Sequence, residues 1–176
     1  PRDGKFLGRV SSAGKPFGAL RAPPAVASLK LTGNQTFLLS SVENRLRVVQ
    51  VETGQALWPE LNGASEELPR PASSTPLVLE SASLIVVGCE DGNLYGIDIV
   101  SGRKKLTWSG RGSAITGVPF VYENKLLVAC AQDGSFYPFP VKGGAPIDNR
   151  FNFGGEVLGS PAIKRTMIFF GTRVSD

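Results

Sequence analysis

Few residues in this chain can do chemistry. Histidine is absent, which excludes histidine catalysis and histidine metal ligation within these 176 residues. Cys89 and Cys130 are the only cysteines, each inside an apolar run, IVVGCE and LLVACAQ. Two separated thiols make neither a disulfide framework nor a zinc site, which needs about four ligands. They read as small buried hydrophobes. That favours a reducing, cytoplasmic compartment slightly and leaves a periplasmic or secreted one open. The acids with a recognisable setting are Asp91 and Asp133, each followed directly by glycine, and Asp98, three residues ahead of Ser101-Gly102. A carboxylate in that place accepts backbone N–H bonds, so these residues read as turn formers before they read as bases. No Gly-rich segment runs on into Lys-Ser/Thr and a helix, and no nucleophile elbow is present. Asn34-Gln35-Thr36 has the form of a glycosylation acceptor, of consequence only in a secreted eukaryotic protein.

Charge offers a weaker lead. The formal net charge is +4, distributed as +5 over residues 1–30, −6 over 31–100 and +5 over 101–176. Arg103-Lys104-Lys105 is the densest basic run and a candidate partner-binding site. Basic patches of this size could meet an anion or a nucleic acid. No run interleaves many basic residues with aromatics, so nucleic acid is not the expected partner.

The elements that must carry these residues repeat. Residues 74–108 and 117–147 both run proline, short apolar strand, turn, longer apolar strand, Asp-Gly, aromatic strand, Gly turn. Pro76, Pro119 and Pro161 are 43 and 42 residues apart, and Asp91-Gly92 and Asp133-Gly134 are 42 apart. An earlier copy spans 37–58, with Glu43-Asn44 in place of Asp-Gly, and partial copies lie at 2–18 and 159–176. Leu84–Gly88 is a continuous apolar run, as in a strand covered on both faces. Asp91-Gly92 signals a two-residue hairpin in which both residues take positive φ. Asn93–Asp98 and Lys105–Trp108 complete a unit of four antiparallel strands, and about 42 residues per unit is the period of a propeller blade. No segment has a sustained helical period. Twenty-one glycines and thirteen prolines fit an all-β fold.

The turn between the third and fourth strands resembles the tryptophan-docking motif of the PQQ-like β-propeller repeat, the quinoprotein alcohol dehydrogenase-like superfamily. In residues 48–58 the motif slots are held by Val48, Gln50, Thr53, Gly54, Gln55 and Trp58. In residues 96–106 they are held by Gly96, Asp98, Ser101, Gly102 and Arg103, with Leu106 in the tryptophan slot and Trp108 two residues later. Residues 8–18 keep Gly8, Gly14 and Lys15, and residues 138–148 keep only Gly144. Trp58 and Trp108 are expected to pack blade against blade. The blades are expected at 29–72, 73–115 and 116–158, with partial blades at 1–28 and 159–176.

The resemblance implies two branches. A quinoprotein dehydrogenase would carry PQQ, calcium, an Asp base and commonly a vicinal cysteine pair; this sequence has no adjacent cysteines and no acid cluster outside the repeat pattern. The non-catalytic branch, similar to the C-terminal propeller of the β-alanine-activating enzyme, implies a scaffold that binds a protein or domain and needs no cofactor. About four repeats are present, cut in mid-blade. That suggests part of a seven- or eight-bladed ring, half of a ring closed by a second copy or another chain, or a four-bladed ring. Remaining blades or a second copy are therefore expected partners, and no apolar run is long enough for a membrane span.

Overall fold

The computed structural model describes residues 19–31, 33–123, 125–147, 151–157 and 161–173. Among the described residues every regular element is a strand apart from two single 3₁₀ turns, Pro59–Leu61 and Glu80–Ala82. The first sheet holds β1 (Ala25–Lys30), β2 (Asn34–Val42) and β3 (Arg45–Gln50). The second holds β4 (Leu77–Leu79), β5 (Leu84–Gly88), β6 (Leu94–Asp98) and β7 (Lys104–Trp108). The third holds β8 (Phe120–Tyr122), β9 (Leu126–Cys130), β10 (Ser135–Pro140) and β11 (Phe151–Asn152). All pairings within these sheets are antiparallel. Two short pairs follow: β12 (Glu156–Val157) with β15 (Thr172–Arg173), and β13 (Ala162–Lys164) with β14 (Met167–Phe169).

Strand alternation explains why the runs are apolar throughout. On β5 and β6, Ile85, Val87, Tyr95 and Ile97 face a core shared with the first sheet, through Phe37, Leu39, Leu46 and Val48. Leu84, Val86 and Leu94 point the other way, into a core shared with Leu127, Ala129, Tyr137 and Phe139 of the third sheet. A strand in the middle of stacked sheets has no wet face, so the period of 2 sorts residues between two cores rather than between core and water. The connections between blades also repeat. Isolated antiparallel bridges join Ala72 to Cys89 and Ile115 to Ala131, and β12–β15 makes the corresponding pair in the last unit.

Four details differ from the sequence reading. The first blade has three strands rather than four; only Ala56 bridges back to Val49, because Pro59 opens a 3₁₀ turn where the fourth strand would continue. The boundary drawn between residues 28 and 29 falls inside β1. The Asp-Gly hairpins are three-residue loops: the Gly92 N–H reaches the Cys89 carbonyl at 3.1 Å, the Cys89 N–H reaches the Asn93 carbonyl at 2.9 Å, and of the Asp-Gly pair only Gly92 has positive φ, at +79°. That is a type I turn closed by a glycine bulge. β7 begins at Lys104, one residue before the Lys105–Trp108 strand read from the sequence, and Lys105 is an extra residue in a bulge, since Gly96 pairs with Leu106 and Ile97 with Lys104. Residues 1–18 of the partial blade expected at 1–28, with Gly8, Gly14 and Lys15, lie outside the described residues, as do 158–160 and 174–176.

Candidate functional site

The motif residues are held by a bond pattern that the first two blades share. The Gly54 N–H reaches the Gln50 carbonyl and the Gly102 N–H the Asp98 carbonyl, both at 2.9 Å; the Gln50 and Asp98 N–H groups reach the Gln55 and Arg103 carbonyls, also at 2.9 Å. Gly54 and Gly102 have φ of +71° and +67°. Asp98 Oδ1 accepts from the N–H groups of Ser101 and Val100 at 2.8 and 3.1 Å and from the Ser101 hydroxyl at 3.0 Å, while Lys105 Nζ lies 3.2 Å from Oδ2. In the first blade Gln50 stands in this slot and accepts from the Thr53 hydroxyl at 2.7 Å. Asp91 and Asp133 accept from the N–H groups of Asn93 and Ser135 at 3.0 and 2.9 Å, and Asp91 also takes the Tyr95 hydroxyl at 2.6 Å. Gly134, at φ +78°, closes the second of these turns.

Hydrogen bonds to the Ser101 backbone, ahead of those from its hydroxyl and from Lys105, hold the Asp98 carboxyl below the usual carboxylate range against a smaller opposing effect of burial. A carboxyl whose folded pKa is depressed stabilises the fold above its ordinary pKa, and loses that contribution as pH falls through the folded value. The wild-type melting temperature should therefore drop more steeply than that of Asp98→Asn on acidification below about pH 4, measured by circular dichroism; parallel curves would contradict this assignment.

The tryptophans lie between blades. Trp58 is fully buried, donates Nε1–H to the Ile99 carbonyl at 2.9 Å, and lies against Gly102, where a Cβ would stand 2.8 Å from Cδ2. Trp108, also fully buried, donates to the Pro140 carbonyl at 2.6 Å. Both cysteines are free and fully buried, Cys89 in the core between the first two sheets and Cys130 in the core around Phe136 and Val157. Burial pushes the Cys130 thiol up to about 12 and raises Cys89 further. A thiolate-directed disulfide reagent at pH 8 should label neither in the native protein and both after denaturation; rapid native labelling would show that these cores open.

The basic run is only partly free. Lys105 is paired with Asp98, Lys104 Nζ sits 5.7 Å from the centre of the Tyr95 ring, and the Lys104 N–H is held by Glu66 Oε2 at 3.0 Å. The Arg103 side chain is exposed. Missed in the sequence were two further lysines, Lys125 and Lys142, which join Lys105 around an open cleft of about 690 Å³ between the second and third blades. The signal was present in the repeat: their counterparts one blade earlier are Ser83 and Val100.

The dehydrogenase alternative calls for a calcium ligand set and an unengaged Asp base. Among the described residues no three His, Cys, Asp or Glu side chains gather to hold a metal, the cysteines lie in different cores, and Asp91, Asp98 and Asp133 are engaged by their own turns.

Stacked four-stranded antiparallel sheets, repeated linker bridges and docked tryptophans define a β-propeller of PQQ-like repeats. The chain belongs to the family whose model is described as outer membrane protein assembly factor BamB, matched over residues 6–174. No curated protein matches it in sequence. Among solved structures it is similar to the computationally designed Ika4 protein, at 20% identity and TM-score 0.70, over 96% of this chain and 94% of that one. The designed Ika8 protein matches at 20% identity and TM-score 0.65, over 88% of this chain and 43% of that one. BamB from Moraxella catarrhalis matches at 16% identity and TM-score 0.67, over 88% and 44%. The chain thus spans less than half the length of Ika8 and BamB. At these identities the likeness is one of fold.

Proposed function

We propose that this chain is a non-catalytic propeller scaffold that binds another protein, or another domain of its own parent, without a cofactor. The observation that carries this reading is the use of the repeat's polar side chains. Asp91, Asp98, Asp133, Gln50 and Thr53 are all engaged in turn hydrogen bonds, which leaves none of them poised for substrate. Membership of a family described by an assembly factor supports the same reading. Among the described residues no helix is long and apolar enough to cross a membrane. Among the described strands β14 pairs only with β13, and Ile163 on β13 and Met167 and Phe169 on β14 are 40–52% exposed, an apolar face that a further blade or a second copy would fit.

The test has two arms. Titration with PQQ and Ca²⁺ should give no quinone absorbance shift and no alcohol-dependent dye reduction; a saturable signal overturns the reading in favour of a dehydrogenase. A photo-crosslinking residue in place of Arg103, within the intact parent protein in its own cells, should trap one defined polypeptide or domain. Crosslinking to nucleic acid, with affinity falling steeply in salt, would move the assignment to the basic-patch alternative.

A further inference from the structure

The repeat allows the two blade interfaces to be compared position by position. Trp58 corresponds to Leu106, Ile99 to Val141, and Gly102 to Gly144. In the first interface the indole of Trp58 fills its place completely: it covers Gly102, bonds the Ile99 carbonyl, and is backed by Leu61, whose Cδ1 would lie 2.9 Å from a Gly102 Cβ. In the second interface the place is only partly filled, by Leu106, whose Cδ2 would stand 3.4 Å from a Cβ on Gly143. Leu106 is shorter than an indole, no 3₁₀ turn follows it, and a Cβ on Gly144 would meet nothing within 4 Å. The Val141 carbonyl, counterpart of the Ile99 carbonyl, takes no hydrogen bond from any described residue. Trp108 does not refill the gap. Its ring lies over Gly96 of its own blade and its N–H is committed to Pro140.

Leu106 and Val141 line the resulting cleft together with Leu84, and Lys105, Lys125 and Lys142 surround them. The fold does not require lysine at these places, since the same positions one blade earlier carry Leu57, Ser83 and Val100. Among the described residues neither Lys125 nor Lys142 has an acidic partner. An apolar floor, a carbonyl acceptor that no described residue uses and cationic edges make a site of ligand size.

We propose that this cleft docks the tryptophan side chain of an acidic segment of a partner protein. The indole takes the place beside Leu106 and Val141 that Trp58 takes beside Ile99, its N–H bonds the Val141 carbonyl, and flanking carboxylates meet Lys125 and Lys142. This rests on the scaffold reading, and it names the partner's chemistry. Trp58 is the chain's own precedent for an indole in this geometry, which favours a peptide over a nucleobase.

The probe is a fluorescein-labelled, end-capped peptide of sequence Asp-Asp-Trp-Glu-Glu, followed by polarisation against the full chain. Saturable, salt-sensitive binding is expected, weakened about tenfold or more when the peptide tryptophan is replaced by alanine. Leu106→Trp, which fills the cleft from within, should abolish binding while keeping or raising the melting temperature. Lys125→Glu with Lys142→Glu should weaken binding by about tenfold or more and keeps the test valid if Leu106→Trp fails to fold. No saturable binding, equal affinity for the alanine peptide, insensitivity to either set of substitutions, or tighter binding of a single-stranded oligonucleotide overturns the proposal. A defined protein trapped from position 103 alongside a failed peptide titration sinks the cleft and leaves the scaffold standing; a PQQ response sinks the scaffold itself.

Discussion

Replacing Trp58 by alanine should destabilise the chain by about 3–5 kcal/mol, the range for removing a large buried aromatic. The side chain is fully buried and belongs to the core cluster that also holds Leu46, Leu68, Ile85 and Ile97. Its loss leaves a cavity and strips the Ile99 carbonyl of its donor, and a buried acceptor left unpaired costs about 1–3 kcal/mol within that total. Trp58→Phe separates the two contributions, because it keeps most of the packing and loses only the bond. Leu106→Ala, at the corresponding slot of the next interface, should cost much less than Trp58→Ala. Leu106 is only partly buried there and borders an open cleft. Urea unfolding of the three variants measures the differences directly. A Trp58→Ala midpoint equal to that of wild type would mean that the first two blades do not depend on this contact.

The architecture was legible because the repeat writes its turns in residues with a single physical use. Pro76, Pro119 and Pro161 mark the start of each unit, and glycine after Asp91 and Asp133 marks each central hairpin. The assignment of faces was legible too, since Leu84–Gly88 and Leu126–Cys130 have no polar residue to give to solvent. Hairpin type was not. The same Asp-Gly pair serves a two-residue turn or a three-residue loop, and here the Asp carboxylate capping the residue two ahead favours the latter. Ser83, Glu123 and Arg165 take φ of +54°, +49° and +55° in the first-to-second-strand turns, where nothing in their side chains announces it. The strand pairing on either side imposes that conformation.

The candidate site was less legible than the fold. Arg103, Lys104 and Lys105 drew attention as a run, yet a run along a strand alternates direction, and the bulge at Lys105 turns its side chain to Asp98 and the cleft. Lys125 and Lys142 are isolated in the sequence and come together only because the first-to-second and third-to-fourth strand turns of the third blade lie at the same end of its sheet, where the Val141 N–H reaches the Lys125 carbonyl. The empty tryptophan slot at Leu106 was visible, but whether Trp108 fills it depends on strand register. With Leu94 paired to Trp108 and Gly96 to Leu106, Trp108 lies two residues beyond the slot, over Gly96.

Gly102→Val and Gly54→Val should separate two costs that the sequence motif merges. Both glycines occupy the left-handed region, at +67° and +71°, so a branched side chain at either place strains the backbone by about 1–3 kcal/mol. At Gly54 nothing lies within 4 Å of the added Cβ, and strain is the whole effect. At Gly102 the Cβ would stand 2.8 Å from Trp58 Cδ2 and 2.9 Å from Leu61 Cδ1. Trp58 cannot retreat, because it is fully buried and tied to Ile99. Overpacking adds about 1–3 kcal/mol, so Gly102→Val should lose roughly twice as much stability as Gly54→Val. Trp58→Phe in the same chain should return part of the Gly102→Val loss and none of the Gly54→Val loss, since a smaller ring relieves only the first. Thermal melts of the four variants decide the matter. Equal losses at the two glycines would show that the docked indole exerts no steric hold on the neighbouring blade, and would remove the packing basis for treating the slot beside Leu106 as its empty counterpart.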